Sequence, residues 1–208
     1  IPAISIYTLV LGALSIGLSL FDRRGVFAHG CARVWSWLIL ATTNVDVTIS
    51  GLERLRRDVT YVFVSNHQSI YDIPIIFASI PHQLRIIAKE SLGRFPVLGW
   101  HLRWTGHLLV NRARPSSKIG KRISKLLRDG LSLIVFPEGT RSRDGNVAPF
   151  KRGVFSLSVE ASLPIVPVAV VGSRHVMRKG RLMTCPGEVQ LVIHEPIPTA
   201  SLTAADVR

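Results

Sequence analysis

YVFVSNHQSIYDIPII, residues 61–76, places a histidine and a carboxylate five positions apart where two kinds of local structure meet. On one continuous helix five residues turn through roughly 500°, which leaves the two side chains on different faces. On a strand an odd spacing sends them to opposite sides. His67 and Asp72 can touch only if the chain bends between them. Tyr61–Ser65 is β-branched and aromatic, so it reads as a strand. Pro74 is tolerated only in the first turn of a helix, which makes Asp72 the natural N-cap of a helix beginning at Ile73. Residues 66–71 are then a loop at a strand end, where scaffolded functional groups tend to sit. Without further signs, a capping aspartate beside a loop histidine explains the same letters.

The unit of strand, loop and helix continues outward. VDVTI (45–49), LRIIAK (84–89), HLLVN (107–111), LSLIVF (131–136), PIVPVAVV (164–171) and EVQLVI (188–193) have strand composition. IPIIFASI (73–80), FPVLGWHLRW (95–104), SSKIGKRISKLLRD (116–129) and KRGVFSLSVEA (151–161) have helical spacing. In the third of these Ile119, Ile123, Leu126 and Leu127 form one apolar stripe opposite Lys and Arg, and Gly130 ends it. This alternation predicts an α/β fold: a mostly parallel or mixed sheet covered by helices.

Ahead of that domain lies a different segment. Residues 1–21 carry no charge, and Asp22, Arg23 and Arg24 follow at once. About 20 residues of helix reach roughly 30 Å, the thickness of a bilayer's hydrocarbon core. A cleavable leader fits poorly, because no basic stretch precedes the run and no small-residue site closes it. The chain starts at Ile1 and not at Met, so upstream residues are expected. Arg23 and Arg24 place the following side in the cytoplasm. The next stretch, VFAHGCARVWSWLILATT (26–43), is apolar but holds Arg33, Trp35 and Trp37. It suits a helix lying in the membrane interface, or a helix packed on the domain. The expected division is therefore an N-terminal membrane anchor over 1–42 and a catalytic domain over 43–208.

Charge narrows the partners. Of the 208 residues, 26 are Lys or Arg and 13 are Asp or Glu, a net charge of +13 that favours anionic partners. Cys31 and Cys185 lie far apart and form neither a disulfide framework nor a zinc site. No HExxH, Walker A or GxGxxG pattern occurs, which removes the usual sequence support for metal hydrolysis and nucleotide binding. No nucleic-acid-binding module accompanies the dispersed charge.

Three further stretches stand out. FPEGTRSRDGNVAPFKRG (136–153) runs from a strand into Glu138, Gly139, Thr140, Arg141 and Ser142. Arg141 offers a fork for phosphate, a neighbouring carboxylate can steady that fork, and Lys151 and Arg152 add positive potential. KESLGRFPVLGWHLRWTGHLLVNR (89–112) sets Lys89 and Arg112 at two strand ends, with Pro96 starting a central helix. SLPIVPVAVVGS (162–173) carries Pro164 and Pro167, which predict an edge strand or a strand start.

Together these blocks resemble the glycerolipid acyltransferases, specifically the 1-acylglycerol-3-phosphate acyltransferases. Asn66, His67 and Asp72 match that family's Asn-His-x4-Asp motif, and Phe136–Ser142 matches its Phe-Pro-Glu-Gly-Thr-Arg-Ser motif letter for letter. Lys89 to Arg112 and Leu163 to Val170 are similar to its second and fourth motifs. The resemblance spans roughly residues 45–195 and implies that His67 is a general base oriented by Asp72. It implies that Arg141, Lys89 and Arg112 hold the phosphate of lysophosphatidic acid. Asn66, Glu138, Gly139, Thr140, Ser142 and Pro164 would shape the pocket, and Ser69 would stabilise the loop and not act as a nucleophile. The expected donor is acyl-CoA or acyl carrier protein, with no cofactor and no metal. Anionic membrane lipids are expected partners, nucleic acid is not, and the expected location is the cytoplasmic face of a bacterial inner membrane. Another lysolipid or glycerol 3-phosphate as acceptor is the alternative within enzymes. A basic, membrane-anchored lipid-binding protein is the alternative outside them.

Overall fold

The structure is a computed structural model that describes residues 2–22, 24–111 and 118–207. Arg23 and Arg112 lie outside them. Among the described residues the chain forms, in order, α1 (Pro2–Ser19), α2 (Val26–Thr42), β1 (Val45–Ser50), β2 (Val62–Ser65), α3 (Asp72–Ser79), β3 (Leu84–Lys89), α4 (Leu98–Trp104), β4 (Leu108–Val110), α5 (Lys118–Arg128), β5 (Ser132–Val135), α6 (Gly153–Glu160), β6 (Ile165–Val171), α7 (Ser173–Val176) and β7 (Gly187–Ile193). The strands make one sheet in the order β1-β7-β6-β2-β5-β3-β4. Every neighbouring pair is parallel except β6–β7. The α/β class with a mixed, helix-covered sheet is therefore as the sequence predicts.

Period-two alternation divides the core between the two faces of this sheet. Phe63 of β2, Ile134 of β5 and Val166 of β6 join Ile75, Ile76 and Ile80 of α3 and the segment after it. Val62, Val64, Leu133 and Val135 point the other way, onto Ile123, Leu126 and Leu127 of α5. All four residues of β2 and all four of β5 are buried, as central parallel strands require. Helix α5 follows its sequence reading closely, ending at Gly130 with φ at 78°.

Three local expectations change. Pro96 does not begin α4. Leu98 N–H bonds back to Pro96 O at 2.6 Å around Val97, whose φ is +59°, so a γ-turn stands between the proline and the helix. The helix is set there by close approach, since a Cβ on Gly99 would meet Gly93 O at 2.4 Å. The second correction concerns β6, which lies inside the sheet and not at its edge. Pro164 does precede the strand, but Pro167 is within it. Its carbonyl accepts His194 N–H at 2.9 Å, so the backbone of Pro167 faces β7 just past the β6–β7 ladder, which runs from Val168 to Val171. Its missing donor falls at the end of that ladder.

The third concerns Asp72, which is the first residue of α3 and not its cap. Tyr71 occupies the cap position, with no side-chain cap bond.

Helix α2 packs between α1 and α3, burying Ala28, Cys31, Ile39 and Leu40 while Phe27, Val34 and Trp37 stay exposed. Among the described residues, α1 alone is long and apolar enough to cross a membrane, and only Ser15 on it is buried. Ser15 Oγ meets His101 Nδ1 at 2.6 Å, which joins α1 to α4.

Near that contact is a buried cationic centre. His107, whose Nδ1 accepts Ile86 N–H at 3.1 Å, lies close to His101 and to Arg85. Burial, reinforced by the Arg85 charge, lowers the His101 pKa to about 4 and pushes that of His107 well down. Both rings are thus neutral when folded, while the unfolded chain binds protons from pH 6.5 downward. Stability should fall as pH drops from 6.5 towards 4, with His101 alone contributing about 3 kcal/mol of the loss. Urea midpoints at pH 7 and pH 4.5 check this, because His101→Gln should lose less stability over that interval than wild type. An equal loss in both would mean that the ring is not the acid-sensitive group.

Candidate active site

Three parallel strands, β2, β5 and β3, end on one side of the sheet, and the loops beyond them carry most of the residues singled out above. Asn66 continues β2 with its side chain. Its Nδ2 donates to Val170 O at 2.9 Å and its Oδ1 accepts Val170 N–H at 2.8 Å, as one more rung against β6. The chain then turns sharply, and His67 Nδ1 meets Asp72 Oδ2 at 2.7 Å. The bend that a five-residue spacing demands is present.

Asp72 explains the bend. Its Oδ2 also accepts Gln68 N–H at 2.8 Å and Ser69 N–H at 2.9 Å, so one carboxylate oxygen folds the whole loop beneath the histidine. Asp72 is fully buried and His67 is 8% exposed. An ionised carboxylate can only accept, so with Asp72 ionised the Nδ1 carries the proton and Nε2 is left as acceptor. Ser69 Oγ donates to Met177 O at 2.7 Å and accepts Tyr71 N–H at 3.2 Å, a loop-stabilising part as expected.

The Phe136–Ser142 loop grips the same histidine. Glu138 Oε1 accepts His67 N–H at 2.7 Å, and Ser142 N–H donates to His67 O at 2.8 Å. The Phe136 ring stacks on the imidazole with centroids 3.9 Å apart. Glu138 Oε2 accepts Ala148 N–H at 2.9 Å. The buried glutamate therefore holds backbone on both sides, and no salt bridge joins it to Arg141 among the described residues. Ser142 Oγ donates to Asp144 Oδ1 at 3.0 Å and accepts Gly145 N–H at 2.9 Å. Hydrogen bonds from the Asn146 backbone, the Asn146 side chain and Ser142 hold the Asp144 carboxyl down to about 2, and the turn is tied by them.

Lys89 is exposed at the end of β3, on the same side of the sheet as Arg141, and Gly139 turns the loop at a φ of 74°. Pro164 does not belong with this group. Its carbonyl accepts Val62 N–H at 3.1 Å, at the far end of β2 from His67. The structure adds a residue that motif reading missed. Lys179 Nζ donates to Thr140 Oγ1 and to Arg141 O, both at 2.8 Å, and so braces the arginine loop. The signal for it was the basic run Arg174 to Lys179 directly after a strand. No group of three or more His, Cys, Asp or Glu side chains able to hold a metal occurs among the described residues.

This arrangement suits attack by a hydroxyl on an activated carbonyl. The acyltransferase family model matches residues 46–171. A chloroplastic 1-acyl-sn-glycerol-3-phosphate acyltransferase of Brassica napus is 37% identical over 184 residues, 86% of this chain and 53% of its own. The human 1-acyl-sn-glycerol-3-phosphate acyltransferase beta is 36% identical over 160 residues, 74% of this chain and 56% of its own. The chain thus spans about half the length of these relatives. The crystal structure of the 1-acyl-sn-glycerophosphate (LPA) acyltransferase PlsC from Thermotoga maritima superposes with a TM-score of 0.81 at 30% identity. That match covers 98% of this chain and 88% of the other. With the family model matched over 46–171 and a solved PlsC superposing over nearly the whole chain, the chain belongs to the acyltransferase family, on its PlsC-like branch.

Proposed function

We propose that the protein transfers a fatty acyl group from an acyl thioester to the sn-2 hydroxyl of 1-acyl-sn-glycerol 3-phosphate, forming phosphatidic acid. The carrying observation is the His67–Asp72 bond set in a loop that Glu138 and Ser142 tie to the Arg141 segment. His67 Nε2 removes the hydroxyl proton as the oxygen attacks the thioester carbonyl. The tetrahedral intermediate collapses, the C–S bond breaks, and the leaving thiolate takes the proton from the imidazolium. Asp72 supports the imidazolium charge while it exists. Neither a covalent enzyme intermediate nor a cofactor enters, because the thioester is already activated and the alcohol is held close.

Arg141 supplies the fork for the acceptor's phosphomonoester, with Lys89 and Arg112 as further cations and Lys179 behind the loop. The donor is acyl-CoA or acyl carrier protein. Helix α1 and the exposed face of α2 hold the enzyme on a membrane with the site on the cytoplasmic side, where anionic lipids attract its positive charge. The relatives' names support this reading of the acceptor.

An acceptor panel tests it, comparing lysophosphatidic acid, lysophosphatidylcholine and glycerol 3-phosphate with both donors. Lysophosphatidic acid should give the highest kcat/KM. Arg141→Lys keeps the charge and loses the fork, so acceptor KM should rise about tenfold with donor KM nearly unchanged. If the donor KM rises instead, the arginine serves the wrong substrate in this scheme.

A further inference from the structure

At the opposite end of the strands from His67 the molecule holds a cation that the chemistry above does not use. Arg85 is 2% exposed, near the start of β3. Its Nη1 donates to Leu84 O at 2.9 Å and its Nη2 to Arg24 O at 3.2 Å, but its buried Nε has no hydrogen-bond partner among the described residues. It forms no salt bridge among the described residues. Burial lowers its pKa to about 10, which still leaves it charged at neutral pH. A buried guanidinium is ordinarily paired or coordinated, because its desolvation otherwise goes uncompensated.

Arg85 lines a cavity of about 330 Å³ between the α1–α2 turn, the end of α4 and the outer side of α5. Arg24, Arg122 and Lys125 line it as well. The two carboxylates on its wall are already engaged. Asp22 Oδ2 accepts Phe27 N–H at 2.6 Å while its charge offsets only part of the burial of Arg85, and Asp129 pairs with Lys125 at 3.1 Å. Four cations thus face two committed acids in a volume at the lower end of small-molecule sites, roughly 300–1,000 Å³. Four residue steps along β3 separate Arg85 from Lys89, about 13 Å, so this is not the acceptor phosphate site.

We infer that this cavity is a second anion site, which binds a phosphate group through the Arg85 guanidinium with Arg24 and Arg122 at its rim. A phosphate presents tetrahedral acceptor oxygens that match a planar fork, whereas a halide offers no such geometry. Free phosphate and the phosphodiester of a lipid headgroup share that chemistry.

The test uses the full chain in detergent, titrated calorimetrically with inorganic phosphate, and the same chain with vesicles of phosphatidylcholine with or without phosphatidylglycerol. If the ligand is free phosphate, a saturable isotherm persists in Arg141→Ala. Arg85→Lys should then weaken it about tenfold and Arg122→Ala about threefold. If the ligand is a headgroup, no phosphate isotherm remains in Arg141→Ala but the preference for phosphatidylglycerol vesicles shrinks in both cavity variants. Circular dichroism checks folding, and Arg122→Ala alone decides the matter if Arg85→Lys does not fold. Neither probe distinguishing the cavity variants from wild type would overturn the site.

Discussion

Replacing His67 by alanine is expected to lower kcat by about 10²–10⁴-fold while the protein keeps its fold, because a positioned general base is worth that much in rate. The ring is stacked on Phe136 and bonded to Asp72, but the residue's backbone is held independently by Glu138 and Ser142. Loop geometry should therefore survive loss of the imidazole. Asp72 is a different case, since its carboxylate also accepts the Gln68 and Ser69 N–H groups. Asp72→Ala removes that acceptor from two buried donors, about 1–3 kcal/mol each, so its activity loss would mix chemistry with unfolding. Asp72→Asn retains an acceptor for the loop and is the cleaner variant. Because the pair acts as one unit, His67→Ala combined with Asp72→Asn should be little slower than the worse single variant. Single-turnover rates on folded protein decide it, and losses that multiply would show that the two residues serve separate steps.

Deleting residues 1–42 is the second change with a large expected effect, and here the loss is of stability. Helix α2 buries Ile39 and Leu40 in the same cluster as Phe63, Ile75 and Ile134. Those two side chains contribute about 1.5–3 kcal/mol each, and Ala28 and Cys31 nearer the start of the same helix are buried as well. Whole domains are stable by only about 5–15 kcal/mol. The truncated chain should therefore lose its cooperative thermal transition in far-ultraviolet circular dichroism. Removing residues 1–20 is a different experiment, because α1 buries only Ser15 and the Arg24 carbonyl that holds Arg85 stays in place. That shorter deletion should leave a folded protein with weaker flotation on vesicles. A sharp, unshifted melt for the longer deletion would mean that α2 is not part of the core in solution.

What could be read from the letters follows the range of the interactions. The His67–Asp72 bend needs only local constraints, a strand, a proline and a spacing, and the contact came out as read, although Asp72 opens α3 and does not cap it. Helix α5 was legible because a stripe, a charged face and a glycine all agree. Glu138 was not, because its acceptor role is to the His67 and Ala148 backbone, and backbone donors leave no mark in a side-chain pattern. Lys179 was missed for a related reason, since it reaches Thr140 from 39 residues away. Pro167 misled because proline's usual place at an edge assumes a full ladder on both sides, whereas here the β7 ladder stops one residue short. Pro164 sits in a motif-like stretch, yet strand direction carries it to the end of the sheet away from the site.

The strand order also bears on how the chain is made. Strand β1 pairs with β7, and 142 residues separate Val45 from Gly187. Central β2 has β5 and β6 as neighbours, both synthesised long after it. At roughly 5–20 residues per second, about 7–30 seconds pass between the emergence of β1 and that of its partner. Over that interval the apolar β2 strand has no sheet to enter, while α1 has already left the ribosome and can engage a membrane. Such long-range pairings are slow to form once the chain is complete. The sheet is therefore expected to close only after β5, β6 and β7 have all emerged, with the apolar β2 exposed in the nascent chain until then.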